Sequence, residues 1–267
     1  MQLISLSFAD LALAAIGVIA LAVTTAMLRL GVARTLVVAA IRTAAQLCLV
    51  GLILEAVFAE RAFVWIALIA LTMLLLAGRE AAARQTRRFT GGYGFAAGTI
   101  SMFLSAFVTT VLTLVVVIRV EPWYTPQYAI PLLGMLLGNT MTGIALALDR
   151  LTQNAWREAA VIEAHLALGA TAGQAVADIR REAMRAGMIP MINAMAAAGI
   201  ISLPGMMTGQ ILAGSPPWEA VKYQILIMFL IAAGTGFGTL SAVTLGARRL
   251  FDDRHRLRLE RLRRARS

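Results

Sequence analysis

At 267 residues, with 60% hydrophobic and only 14% charged side chains, the chain is too apolar for a soluble domain, and its mean hydropathy of +0.79 marks an integral membrane protein. Its net charge of +10 lies in short clusters beside apolar runs, where anionic lipid and topology account for it, so a nucleic-acid partner is not expected.

Windows long enough to cross about 30 Å of hydrocarbon fall near residues 8 to 28, 35 to 57, 62 to 78, 92 to 118, 129 to 148, 186 to 213 and 220 to 247. The expectation is an all-α polytopic membrane protein with about seven transmembrane helices. Basic residues set its orientation, because positively charged loops stay in the cytoplasm. With the amino terminus outside, Arg29 and Arg34, the run from Arg79 to Arg88, the bases between 149 and 185 and those after Ala247 all collect on the inner side. Arg61, Arg119 and Lys222 fall outside, and Arg42 falls within a span. The carboxyl terminus is then cytoplasmic. No basic residue precedes Arg29, so the first span lacks the charged start of a cleavable signal and is expected to be retained.

The first span carries Asp10 near its outer end and is otherwise a plain anchor. In the second, Arg42 and Gln46 lie four residues apart, hence on one helix face. An arginine at that depth costs at least about 2.5 kcal/mol. It either snorkels to the headgroups or lines a polar pathway. The fourth span is rich in hydroxyls from Thr99 to Thr113, which can bond back to helix carbonyls and so do not define a pore. The loop after it places Trp123, Tyr124 and Tyr128 where an aromatic belt is expected. In the fifth span Gly134 and Gly138 have the small-xxx-small spacing of close helix packing. Asn139 beside them needs a partner in the bilayer.

Residues 149–185 form the one long polar interruption, with Asp149, Glu158, Glu163, Asp178 and Glu182 balanced by Arg150, Arg157, Arg180, Arg181 and Arg185. Helix formers dominate it and proline is absent. A helix ending at Gly169, followed by one capped by Thr171, would give a sharp corner. In the sixth span, Pro204 and Gly205 should break or kink the helix, with Ser202, Met206 and Gln210 stacked on one face around them. Broken helices at membrane depth are a common feature of transport sites. The seventh span holds GTGFG before an Arg-rich end.

Cys48 is the single cysteine, so no intrachain disulfide forms, and His165 and His255 are too far apart for a zinc site of usual spacing. The chain has no Gly-x-x-x-x-Gly-Lys loop and no obvious catalytic cluster. It is not expected to be an enzyme or to bind a cofactor. Met206 and Met207 offer soft thioethers that suit copper(I) better than iron, provided the helix is broken between them; the other reading for methionine is packing.

Two resemblances extend this reading. Glu163-Ala164, Gly169 six residues after the glutamate and Ile179 ten further on resemble the cytoplasmic coupling loop of ABC-transporter permeases, with His165 and Arg181-Glu182 as departures. The blocks IRTAAQLCLVG, IPLLGMLLGNTMTG, LALGATAGQAV, ISLPGMMTGQILAG and AVKYQI resemble the Fet-type permease family of bacterial ABC iron exporters, to which plant aluminium-tolerance permeases are similar. The family implies a single permease domain over 1–267 with a coupling loop at 149–185, and the charge pattern makes 248–267 a basic cytoplasmic tail. The family also implies a homodimer in the bacterial inner membrane, and a separate ATPase subunit that uses ATP and magnesium and docks at Glu163, Ala164, Gly169 and Ala170. The expected translocation pathway comprises Arg42, Gln46, Asn139, Ser202, Pro204, Gly205 and Gln210, with Met206 and Met207 as metal ligands and iron or another metal as cargo. An organic cargo such as a nucleotide sugar or lipid, or a non-transporting scaffold or sensor, are the alternatives. A neighbouring gene for a P-loop ATPase would exclude the scaffold.

Overall fold

The computed structural model describes residues 7–60 and 62–264; Arg61 and Arg266, both counted in the charge pattern above, lie outside them. The described residues fall into two compact units, one holding the chain up to Ala62 with Leu212–Ser215, the other Phe63–Ile211 with Pro216 onward.

The first unit is a helical hairpin. Helix α1 (Phe8–Met27) starts at a capping box in which the Ser7 hydroxyl accepts the Asp10 N–H and the Asp10 carboxylate accepts the Ser7 N–H. A turn through Gly31 leads to α2 (Ala33–Glu60). Arg42 and Gln46 stand on α2 and are exposed in the single chain.

The second unit begins with α3 (Phe63–Ala83), β1 (Arg87–Phe89) and α4 (Thr90–Ile118). Helix α4 widens into π-type turns at Phe103–Phe107 and Thr113–Ile118. Ser105, Thr110 and Thr113 each donate to the carbonyl one turn back at 2.7 Å, which uses these hydroxyls inside the helix itself. At the opposite end from β1, Trp123 and Tyr124 meet Phe63 edge to face, with ring centroids 5.9 and 5.3 Å away.

After that aromatic turn come α5 (Pro126–Arg157), the short α6 (Ala159–Ala167) and α7 (Ala172–Ala175), α8 (Ala177–Ala197), α9 (Gly205–Leu212) and α10 (Pro217–Arg249). Helices α5, α8 and α10 form the packed centre. A Cβ on Gly187 of α8 would lie 2.6 Å from the Gly143 carbonyl of α5 and 2.7 Å from Thr239 Cγ2 of α10. Only hydrogen fits there. The close approach expected at Gly138 is not made within the chain, since a Cβ on it would meet open space. Gly143, one turn further along, takes that role.

Six described helices are long and apolar enough to cross a bilayer, namely α1, α2, α3, α4, α5 and α10. The window expected at 186 to 213 is divided between α8 and α9, with residues 198–204 non-helical. Gly199 adopts φ +82° and Pro204 has no N–H to continue a helix, so the chain turns where hydropathy alone reads straight through.

The described part of the segment expected as a basic tail is folded. After α10 it turns back as a strap whose strand β2 (Leu262–Arg264) pairs antiparallel with β1, Phe89 opposite Leu262. Leu250, Phe251 and Leu262 are buried in the main core, and the Arg261 guanidinium donates to the carbonyls of Arg249 and Phe251 at 3.0 and 2.9 Å. Leucines spaced among the arginines supply the apolar face that holds the strap down.

A capped corner and a broken helix as the candidate functional site

The polar segment begins inside α5, which continues helically past residue 148 to Arg157. These last turns are pinned to the β1 turn. Asp149 accepts the Thr86 N–H at 2.6 Å, Thr152 donates to the Arg87 carbonyl at 3.0 Å, and the Arg87 guanidinium stacks 3.9 Å over Trp156. The return helix is tied to the same turns. Glu182 of α8 accepts Arg150 Nε through one oxygen and Asn154 Nδ2 through the other, both at 2.9 Å. Both ends of the segment are thereby held side by side, and α6 with α7 forms the elbow between them.

The chain corners in that elbow as the sequence suggests. At Gly169, with φ +90°, the N–H reaches back to the Leu166 carbonyl at 3.0 Å, and the Ala170 N–H reaches His165. Thr171 then caps α7 through a capping box with Gln174, whose side chain accepts the Thr171 N–H at 2.8 Å. Ile162, Val176 and Ile179 are buried and anchor the elbow, while Glu163, Ala164 and Gly169 are exposed and Ala170 is half-buried. Leu168 at the corner is 86% exposed. Reading by motif missed Leu168, because one leucine in a helical run carries no mark until the corner turns it outward.

The second feature is the break. Between α8 and α9 the Gly199 N–H bonds the Ser202 carbonyl at 2.9 Å, closing a tight loop that leaves Ile200 and Ile201 outward. Beside it lies a cavity of about 450 Å³ whose walls include Met195, Leu203, Pro204, Met207, Gln224 and Met228. Gln224 is buried, and its Oε1 has no hydrogen-bond partner. An orphaned amide oxygen in an apolar wall is costly unless something polar visits it. The signal for Gln224 was present as an amide in the AVKYQI block, at the start of an apolar span.

The expected pathway residues are only partly gathered. Pro204 and Met207 line the cavity, whereas Met206 packs toward the main core. Both methionines sit inside helical α9, where neighbours diverge by about 100°. The open backbone that would let them share one ion is therefore absent from that pair. Gln210 Oε1 is buried without a hydrogen-bond partner, Gly205 is exposed, and Ser202 is exposed in the loop. Asn139 is exposed on α5 and donates to the Met135 carbonyl one turn back at 2.8 Å. Arg42 and Gln46 belong to the first unit. Among the described residues, no three His, Cys, Asp or Glu side chains come together.

The chain matches the uncharacterised protein family UPF0014 over residues 8–251. A UPF0014 membrane protein of Synechocystis is 41% identical over 216 residues, covering 81% of this chain and 83% of that relative. STAR2 of rice, also a UPF0014 membrane protein, is 36% identical over 86% of this chain and 78% of its own length. The probable iron export permease protein FetB of Escherichia coli is 35% identical over 81% of each chain. No solved structure matches the chain.

Proposed function

The chain belongs to the UPF0014 family of membrane proteins, and from that premise we propose that it is the membrane subunit of an exporter driven by a separate ATP-hydrolysing chain. The observation that carries the proposal is the elbow. An exposed helix bearing Glu163 and Leu168 ends at a capped corner, and the helices on either side of the elbow, α5 and α8, are tied together where Glu182 accepts from Arg150 and Asn154. A push on such an elbow passes into α5 and α8 together. The partner ATPase would bind ATP and magnesium and seat α6 and the corner in a cleft on its surface.

In this reading the amino terminus is outside, the Arg-rich end faces the cytoplasm, and the protein works as a homodimer in a bacterial inner membrane. Exposed Gln46 and Asn139 on membrane-spanning helices support a second copy, since a polar side chain facing lipid costs free energy. The cargo route runs past the break. A metal cargo, the kind named for the Escherichia coli relative, would meet Met207 with Met195 and Met228 and the free oxygen of Gln224. A second reading, an organic cargo, is favoured by the volume of about 450 Å³ and the mostly apolar wall, which exceed what one ion needs.

The test is Glu163→Lys in the full chain. Loss of ATPase recovery with the permease, or of cargo-stimulated ATP hydrolysis, is the expected result. Wild-type recovery and wild-type stimulation would refute the docking role.

A further inference from the structure

At the Arg-rich end of the second unit, a cavity of about 260 Å³ opens between α7, the first turn of α8, the end of α10 and the strap. Its walls bring together Arg180, Arg248 and His255 with one carboxylate, Asp252. That carboxylate is already occupied. One oxygen accepts the N–H groups of Arg254 and Arg256 at 3.0 and 2.9 Å, and the other accepts Arg256 Nε at 2.8 Å. These contacts, the Arg256 N–H first, hold its carboxyl down to about 2, so it stays ionised and bound to the strap.

The cavity's guanidinium groups are not matched in the same way. Among the described residues, Arg180 and Arg248 form no ion pair. Arg180 Nε is buried with no hydrogen-bond partner. A guanidinium N–H withdrawn from water with nothing to donate to is expensive. An acceptor arriving in the cavity would relieve that cost.

We propose that this cavity binds the phosphate group of an anionic ligand, held by the guanidinium groups of Arg180 and Arg248 with His255 beside them. Guanidinium forks match phosphate oxygens in geometry and charge, and the volume suits one such group. Thr244, one turn before Arg248 on the membrane-crossing α10, lines the same space. The phosphate can belong to an anionic phospholipid or to a free solute. Ala172, Gly173 and Val176 form the opposite wall and directly follow the corner at Gly169. An occupied cavity therefore bridges the elbow to α10. This site stands independently of the transport reading.

The experiment uses purified full-length protein and thermal unfolding. One arm titrates inorganic phosphate against chloride at equal ionic strength in detergent. The other compares vesicles of phosphatidylcholine alone with vesicles containing phosphatidylglycerol. Expected is stabilisation in at least one arm, with the apparent affinity weakened about tenfold or more by R180Q with R248Q. R248Q alone, at an exposed position, should show an intermediate loss and guards against a folding artefact. R256Q, whose guanidinium serves Asp252, should retain the response. Stabilisation by phosphate identifies a soluble ligand, and stabilisation by phosphatidylglycerol alone identifies a lipid. No stabilisation in either arm, or an equal response in wild type and the double variant, overturns the proposal.

Discussion

The middle and the far end of α8 are surrounded very differently. Near its middle, Gly187 sits against the Gly143 carbonyl, and Ala183 is fully buried. Three turns on, the helix stops at Ala197 and the chain leaves Ile200 88% and Ile201 83% exposed. Hydropathy treats both stretches as one apolar span. Packing separates them, because the middle is fixed by backbone contact and the far end leads into a turn whose Ile200 and Ile201 are exposed. A helix fixed near its middle, tied through Glu182 to the last turns of α5 that lead into the elbow, can carry a displacement from elbow to break.

The strongest way to break that contrast is at Gly187. Gly187→Leu must push α8 off α5 and α10, and should destabilise the protein by about 3 kcal/mol, read as a lowered unfolding temperature in detergent. Gly138→Ala, where a Cβ meets open space within the chain, should change stability by no more than about 1 kcal/mol, and in the favourable direction by helix propensity. Equal losses at both glycines would mean that the close approach is not what holds α8.

At the loose end the contrast is between neighbours. Met207→Leu should impair export of a metal cargo while keeping stability, because leucine keeps the volume and removes the sulfur. Met206→Leu, on the core side, should leave export unchanged. Retained metal in cells loaded separately with iron and copper distinguishes them. Equal export by both variants and wild type would remove thioether ligation from the route.

A smaller effect is expected at the strap. The folded carboxyl of Asp252 titrates near 2, below its value in the unfolded chain. Its contribution is therefore complete above about pH 4 and is lost as pH falls toward about 2. Protection of the amides across residues 250–264, corrected for intrinsic exchange rates, should fall through that window in the wild type, and Asp252→Asn should lower protection at neutral pH and flatten the dependence. An unchanged profile in the variant would contradict the role given to this carboxylate.

Much of the architecture was legible in the sequence, because span placement rests on length and hydropathy and the corner rests on local chemistry. Gly169 and Thr171 act through their own backbone and nearest neighbours, so their roles show in the letters. The strap and the Gly143–Gly187 contact did not show, since both depend on residues far apart in the chain. The charge run after Ala247 hid leucines that face the core. Met206 and Met207 read as a pair in sequence, and became separate only when α9 proved helical through both.

The central claim is that the elbow meets a separate ATPase. The most direct measurement places a photocrosslinker at Glu163→Cys in a Cys48→Ser background, in the full-length protein in its native membranes, with the products identified by mass spectrometry. The account predicts a crosslink to a P-loop ATPase that is lost when the crosslinker is moved to buried Ile179. Products containing only lipid from position 163, with an ATPase present in the same membranes, would contradict it.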